Sequence, residues 1–118
     1  MKKVFVSQPM ANLTEPQIRD ARYKAFKEIK KLYGDEEIEV IDSILTDETE
    51  GKAPMWFLGK SIELMADADI CVFLEGWEDA RGCRVEHLVA EEYGLEFIQF
   101  PIPLKGQIGF HQGNTTGG

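Results

Sequence analysis

Strand-like and helix-like segments alternate along the whole chain, and this alternation limits the folds open to it more than any other feature. Four short apolar runs are separated by stretches in which apolar residues recur at helical spacing. The predicted strands are KVFVS at 3–7, EVID at 39–42, ICVFL at 70–74 and EFIQF at 96–100. The connections are too long for hairpins, so we expect parallel strands with helices on both faces, as in a small doubly wound α/β domain.

Three helices are predicted between these strands. The first begins at the capping box Thr14-Glu15-Pro16-Gln17 and ends at Gly34. The second begins at Pro54, because proline is tolerated in a first helical turn. The third follows the loop at 75–82 and stops at Gly94.

The chain has the length of about one domain. Its 118 residues can bury one small core but not separate cofactor and substrate domains. We expect this domain over residues 1–104, followed by a C-terminal tail, residues 105–118, that is either an interface segment or disordered. The polar segment 43–53 is long enough to act as a mobile lid over a site.

Charge and composition exclude several classes of partner. Thirteen basic and 21 acidic residues give a net charge of -8, which opposes binding to a nucleic acid polymer or an anionic membrane. There is no N-terminal signal, no long apolar run and no disulfide framework, so we expect a cytoplasmic protein with a small-molecule partner. Neither a CxxC nor an HExxH motif is present, and no GxGxxG follows the first strand, so we expect neither a metal nor another cofactor.

Glu86 is the strongest candidate functional residue. It follows a Gly-containing loop and lies one turn into the third helix, where loop amides and the helix dipole favour an ionised carboxylate. The buried third strand directs that loop to the carboxyl edge of the sheet, where open α/β sheets bind ligands. The alternative is that Glu86 only caps the helix or balances its dipole.

Several residues near Glu86 in the predicted fold have two interpretations. Ser7 and Gln8 either contact a ligand or only complete a strand and turn the chain. Trp77 either stacks on a base or sugar, or covers the edge of the core. Arg81 lies at a helix start, where an arginine needs an acidic neighbour or an anionic ligand.

Three further residues remain open in the same way. Arg19 and Arg22 of the first helix either belong to a solvated, salt-bridged face or bind phosphate. Cys83 lies near a helix start, which would lower the pKa of its thiol and make it a conceivable nucleophile with His87 as base.

Three sequence blocks carry a resemblance to a known family. They are SQPM at 7–10, LGKSIELM at 58–65, and GWEDARGCRVEH at 76–87. With them the chain resembles, to about Pro101, the small bacterial and phage proteins grouped as DUF4406. That family is similar to the nucleoside 2-deoxyribosyltransferases and the 2'-deoxynucleoside 5'-phosphate N-hydrolases.

The resemblance implies a flavodoxin-like or Rossmann-like three-layer domain with a parallel sheet of four to five strands, assembled as a homo-oligomer. It implies a nucleoside or nucleotide substrate and places Glu86 where a glutamate attacks the anomeric carbon of a deoxyribose. A 5'-phosphate would lie near Arg81 and the amide of Gly82. The candidate substrate-binding residues are Ser7, Gln8, Pro9, Met10, Gly76, Trp77, Arg81 and Gly82.

Two positions depart from the pattern of those enzymes. Ala80 stands where they carry Ser or Asp, and Ser61 stands where they carry a catalytic-site Asp. Because an unprotonated base leaves poorly, Asp79 would have to act as the acid. We therefore expect N-glycosidic bond cleavage or deoxyribosyl transfer with Glu86 as nucleophile. The alternative is a non-catalytic nucleotide-binding module, such as a sensor or sequestering protein of a phage.

Overall fold

The computed structural model describes residues 1–43, 51–101 and 110–112. Three α-helices and five strands alternate along these residues, with a short 3-10 turn, Trp77–Asp79, before the third helix. In chain order the elements are β1 (Lys2–Ser7), α1 (Glu15–Tyr33), β2 (Ile38–Val40), α2 (Pro54–Met65), β3 (Ile70–Phe73), α3 (Arg81–Glu92), β4 (Glu96–Gln99) and β5 (Phe110–Gln112).

The strands form one sheet in the order β2-β1-β3-β4-β5. The first four strands are parallel, as predicted, and the register pairs Val4 with Ile70 and Ser7 with Phe73. β5 runs antiparallel to β4. It belongs to the segment predicted as a tail, so residues 110–112 are part of the chain's own sheet; the other tail residues lie outside the described part of the chain.

The helices cover both faces of the sheet and complete three layers. On one face Val4 and Val6 of β1 pack with Ala25 and Ile29 of α1. On the other face Phe5 packs with Met65 of α2 and Ala90 of α3. Successive strand residues point to opposite faces, which is why β1 contributes to both core clusters. The predicted three-layer α/β class is confirmed.

Local signals set the helix ends where the sequence predicts them. In the capping box of α1, the Thr14 amide donates to Gln17 Oε1 at 2.8 Å and the Gln17 amide donates to Thr14 Oγ1 at 3.3 Å. Pro54 is the first residue of α2. α3 ends two residues before Gly94, whose φ is +70°.

Two predicted loops differ in how far they can be placed. Of the proposed lid at 43–53, residues 44–50 lie outside the described part of the chain. The predicted loop at 75–82 lies wholly within the described residues; it turns at Gly76, with φ +93°, directly into the 3-10 turn. In the ranges that the structure describes, the helices are too short or too polar to cross a membrane.

Candidate functional site

A cavity of about 490 Å³ opens at the carboxyl edge of the sheet. It lies where the residues after β1 and β2 meet the first turns of α2 and α3, which is the convergence that a parallel sheet predicts. Its lining is Phe5, Val6, Ser7, Gln8, Pro9, Met10, Ala11, Ser43, Pro54, Phe57, Leu58, Ser61, Asp79, Ala80, Arg81, Gly82, Cys83 and Glu86.

Glu86 lines this cavity and is only 7% exposed. Ser7 Oγ, at the end of β1, donates to Glu86 Oε1 at 2.6 Å. Ser61 of α2 is a second hydrogen-bond partner. The carboxylate is thus held between the sheet and α2 by hydroxyl groups, and hydrogen bonds to a charged group of this kind are short and strong.

Burial has the largest effect on the pKa of the Glu86 carboxyl. Burial raises the pKa of its carboxyl, while hydrogen bonds from Ser7 and Ser61 and the charge of Arg22 lower it; the net direction is upward. The expectation of a dipole-stabilised carboxylate is therefore wrong. Glu86 is the sixth residue of α3, beyond the first turn where free amides and the dipole act.

Arg22 forms a buried network behind the cavity wall. This side chain is 8% exposed. Its Nε donates to Gln8 Oε1. Its Nη2 donates to Ser43 Oγ at 2.7 Å and to the Val6 carbonyl at 3.4 Å. Burial lowers the pKa of the guanidinium to about 10, so it remains a cation at neutral pH.

The interpretation of Arg22 as part of a solvated face is wrong. Ile18, Arg22, Ala25 and Ile29 are the buried residues of α1, so Arg22 occupies the core-facing stripe of that helix. This spacing was visible in the sequence. Arg19 does form the predicted surface pair, with Nε at 2.8 Å from Glu15 Oε2.

Gln8 lines the cavity, but its amide is occupied by the protein. Its oxygen accepts from Arg22 and its Nε2 donates to the carbonyl of Ile18 at 3.2 Å. Gln8 therefore ties the end of β1 to α1, and this structural interpretation accounts for its side-chain bonds.

The other predicted residues of this region divide into a rim and a neighbouring cluster. Pro9, Met10, Asp79, Arg81 and Gly82 line the cavity, and Asp79, Arg81 and Gly82 are solvent-exposed. Gly76 and Trp77 are not among its described lining residues.

Trp77 instead stacks on the His87 ring, with the ring centroids 4.0 Å apart and the planes 9° apart. It also packs against the core cluster that contains Phe73. The expectation that Trp77 contacts a substrate in this cavity is therefore not met, because its indole covers the edge of the core.

A nucleophilic Cys83 is also contradicted. Burial raises the pKa of this thiol to about 11, even though Ser7 and Arg84 lower it, so the reactive thiolate is scarce at neutral pH. His87, its proposed base, is engaged elsewhere: Nε2 lies 2.6 Å from Gln99 Oε1 and Nδ1 lies 3.1 Å from Glu91 Oε1. Cys71 and Cys83 are both free thiols.

Among the described residues there is no candidate metal site, and two carboxylates line the cavity. Among the described residues, no group of three or more His, Cys, Asp and Glu side chains is placed to hold a metal ion. Of the described lining residues, Asp79 and Glu86 are the carboxylates, one at the rim and one buried.

Comparison with known proteins agrees with the resemblance seen in the sequence blocks. The family model described as "Domain of unknown function (DUF4406)" matches residues 2–99. No curated protein and no solved structure matched the chain. The further similarity to deoxyribosyltransferases and N-hydrolases stays a prediction.

Proposed function

The chain belongs to the DUF4406 family, and we propose that it cleaves the N-glycosidic bond of a 2'-deoxynucleoside or its 5'-monophosphate, or transfers the deoxyribosyl group. Glu86 is the nucleophile in this proposal. The observation that carries it is a single buried carboxylate that lines a ligand-sized cavity and accepts a 2.6 Å hydrogen bond from Ser7.

The chemistry requires an ionised carboxylate with one oxygen available to a sugar. A Glu86 oxygen attacks C1' as the C1'–N bond breaks, and the bonding electrons leave with the base, which takes up a proton. The resulting ester is then attacked by water or by a second base. A 2-deoxy sugar favours this path, because no electron-withdrawing 2-hydroxyl opposes the positive charge that develops on the ring.

Burial and hydrogen bonding play opposite parts in this step. Burial makes an ionised Glu86 less stable, which increases its tendency to form a neutral ester. Ser7, Ser61 and the charge of Arg22 counter this effect and favour the ionised form that attacks the sugar. An active-site group whose protonation is set by opposing effects is typical of catalytic sites.

Asp79 is the proposed proton donor to the leaving base. It lies at the cavity rim at the end of the 3-10 turn. Ala80 and Ser61, the two positions at which the resemblance leads us to expect acids, carry none. We therefore expect slow turnover, since general acid catalysis contributes about 10²- to 10⁴-fold where it operates.

The same absence of acids favours a second candidate function. In a nucleotide-binding module without turnover, the cavity would hold the nucleotide, and Glu86 would accept a hydrogen bond from its sugar. This alternative predicts binding in the same cavity without release of the base.

The two functions are separated by measuring both binding and base release. The protein is incubated with the deoxynucleosides, their 5'-monophosphates and the matching ribonucleotides; free base is measured by chromatography and binding by calorimetry. We expect base release from a deoxy substrate and a loss of about 10³-fold or more in Glu86→Gln. Glu92→Gln, an exposed change on the same helix, is the matched control and should retain the rate.

Two results would count against the enzymatic proposal. Tight binding with no base release would assign the cavity to the binding module. Base release that Glu86→Gln leaves unchanged would remove Glu86 from the reaction.

A further inference from the structure

We propose that Arg22 is a positioning residue of this site: it fixes the end of β1 on both sides of Ser7, and it places a buried positive charge beside the cavity that Glu86 lines. The catalytic consequence rests on the proposed function. The effect of Arg22 on the ionisation of Glu86 does not depend on that function.

The geometry places Arg22 on both neighbours of Ser7. Arg22 Nη2 donates to the carbonyl of Val6, and Nε donates to the side chain of Gln8. Ser7 stands between these two residues and donates from Oγ to Glu86. The N–H donors of a guanidinium lie in one rigid plane, so it can hold two groups of the chain at fixed positions relative to each other. Arg22 therefore sets the position of the hydroxyl that holds the nucleophile.

The same side chain joins the residues that follow two strands. Its bond to Ser43 Oγ, at 2.7 Å, connects α1 with the chain after β2. Ser43 and Gln8 both line the cavity. One buried cation thus ties together two of the segments that form the cavity wall.

The electrostatic part of the proposal follows from burial. Glu86 and Arg22 are both buried. In the interior of a protein screening is weak, so opposite charges interact over longer distances than at the surface. The charge of Glu86 raises the pKa of Arg22, and the charge of Arg22 lowers that of Glu86. Arg19 has little comparable influence, since its side chain is exposed and paired with Glu15.

Other groups that face this pair are known. Glu86 accepts hydrogen bonds from Ser7 of β1 and Ser61 of α2, and its charge acts on the thiols of Cys71 in β3 and Cys83 in α3. Asp79 and Arg81 lie at the cavity rim. Arg22 is influenced by Asp42 and Arg19 as well as by Glu86. Arg22 is the cation that acts on Glu86 in this set.

The test is a pH titration of Glu86 by NMR in protein labelled at the glutamate carboxyl carbons, with the Glu86 signal assigned by its loss in Glu86→Gln. The variants are Arg22→Gln, which removes the charge, and Arg22→Lys, which keeps it. Arg19→Gln is the matched control from the same helix. Circular dichroism and thermal unfolding establish that each variant is folded.

We expect Arg22→Gln to raise the titration midpoint of Glu86 by about half a pH unit or more. Arg22→Lys should restore most of the wild-type midpoint, and Arg19→Gln should leave it unchanged. If the chain is an enzyme, kcat/KM at pH 6 relative to pH 8 falls in Arg22→Gln, by at most the roughly threefold that a shift of half a pH unit allows, and Arg22→Lys recovers this ratio but not kcat.

A purely structural role for Arg22 would affect the Gln and Lys variants alike. An unchanged midpoint in folded Arg22→Gln, or equal midpoints in the two variants, would overturn the proposal. Absence of base release together with a raised midpoint would instead reject only the proposed function.

A measurement that leaves Arg22 unchanged covers the case in which Arg22→Gln does not fold. In the wild-type protein, the Arg22 Nε–H signal should titrate with the midpoint of Glu86, and this response should vanish in Glu86→Gln. An Arg22 signal that ignores the ionisation of Glu86 would contradict the proposal.

Discussion

At the scale of single residues, the ionisation of Glu86 depends on how far hydrogen bonds and charge from its neighbours offset the effect of burial on its pKa. The position of Glu86 after a loop and within a helix was visible in the sequence. Its burial and its contacts with Ser7 and Ser61 were not, since they depend on how β1, α2 and α3 pack. The predicted source of stabilisation failed for that reason: it relied on the loop amides and the helix dipole, whereas burial between these elements raises the pKa of Glu86.

The raised pKa of Glu86 has a consequence for stability. Its carboxyl has a higher pKa in the folded chain than its ordinary value of 4.5, so between these two values the folded state binds more protons and stability falls as pH rises. Glu86→Gln does not titrate and escapes this loss. We expect its Tm to exceed that of the wild type at neutral pH, with a smaller difference near pH 4.5.

Thermal unfolding of both proteins from pH 4 to pH 8 checks this sign. Glu92→Gln, on the exposed side of the same helix, is the matched control for the loss of a glutamate. A Glu86→Gln advantage that shrinks as pH rises would show that the buried carboxylate is stabilised rather than penalised in the folded state.

Ser7 supports the ionised form of Glu86 through its 2.6 Å hydrogen bond. Ser7→Ala removes this donor, so the pKa of Glu86 rises further and the acid limb of kcat/KM moves to higher pH. We expect activity at pH 6 relative to pH 8 to fall. Ser7→Thr keeps a hydroxyl and should retain the wild-type profile; an acid limb unmoved in Ser7→Ala would contradict the assigned role.

At the scale of elements, the 3-10 turn and α3 are joined by a stack of aromatic rings. Trp77 lies parallel to His87 at 4.0 Å, and the same turn ends at Asp79 on the cavity rim. We therefore expect Trp77 to act on the site by holding the turn.

Removing the stack should loosen the turn and displace Asp79. We expect Trp77→Ala to destabilise the protein by about 2 kcal/mol and to lower kcat/KM about tenfold, since misplacement of a reacting group is costly. Trp77→Phe keeps an aromatic ring and should lose much less of both. Urea denaturation and base-release assays measure the two effects; a fully active Trp77→Ala would separate the turn from the site.

Element boundaries were predicted well wherever a local signal sets them. The capping box at Thr14, the proline that opens α2 and the glycine after α3 all act within a few residues of the helix end. The side on which Trp77 lies and the burial of Arg22 are set by packing between elements. Of these two, the burial of Arg22 could have been predicted from the sequence, because Arg22 falls on the helical stripe of Ile18, Ala25 and Ile29.

At the scale of the whole molecule, the parallel sheet places the candidate site. Strand order β2-β1-β3-β4 puts β1 near the centre, so that its last residues meet α1 on one face and α2 and α3 on the other. The class of fold could be predicted from the alternation of segments. The antiparallel strand β5 could not, because its segment has no clear apolar pattern. Homo-oligomeric assembly and a cytoplasmic location stay predictions.

Shared strands should make the two core clusters unfold together. Val4 and Phe5 are adjacent in β1 but belong to opposite clusters, so neither face can lose its packing alone. We expect one transition in urea, with an m-value of about 1 to 3 kcal/mol/M. Far-UV circular dichroism and tryptophan fluorescence should coincide; separated transitions would show that the faces are independent.

The account as a whole depends on a covalent bond between Glu86 and a deoxyribose. A 2'-fluoro-arabino nucleoside, whose fluorine slows breakdown of the ester, is added to the protein, and the quenched sample is digested and mapped by mass spectrometry. We predict a fluorosugar adduct on the peptide that contains Glu86, with release of the base, in the wild type and Glu92→Gln but not in Glu86→Gln. Base release with Glu86 unmodified, or an adduct on another residue, would contradict the central claim.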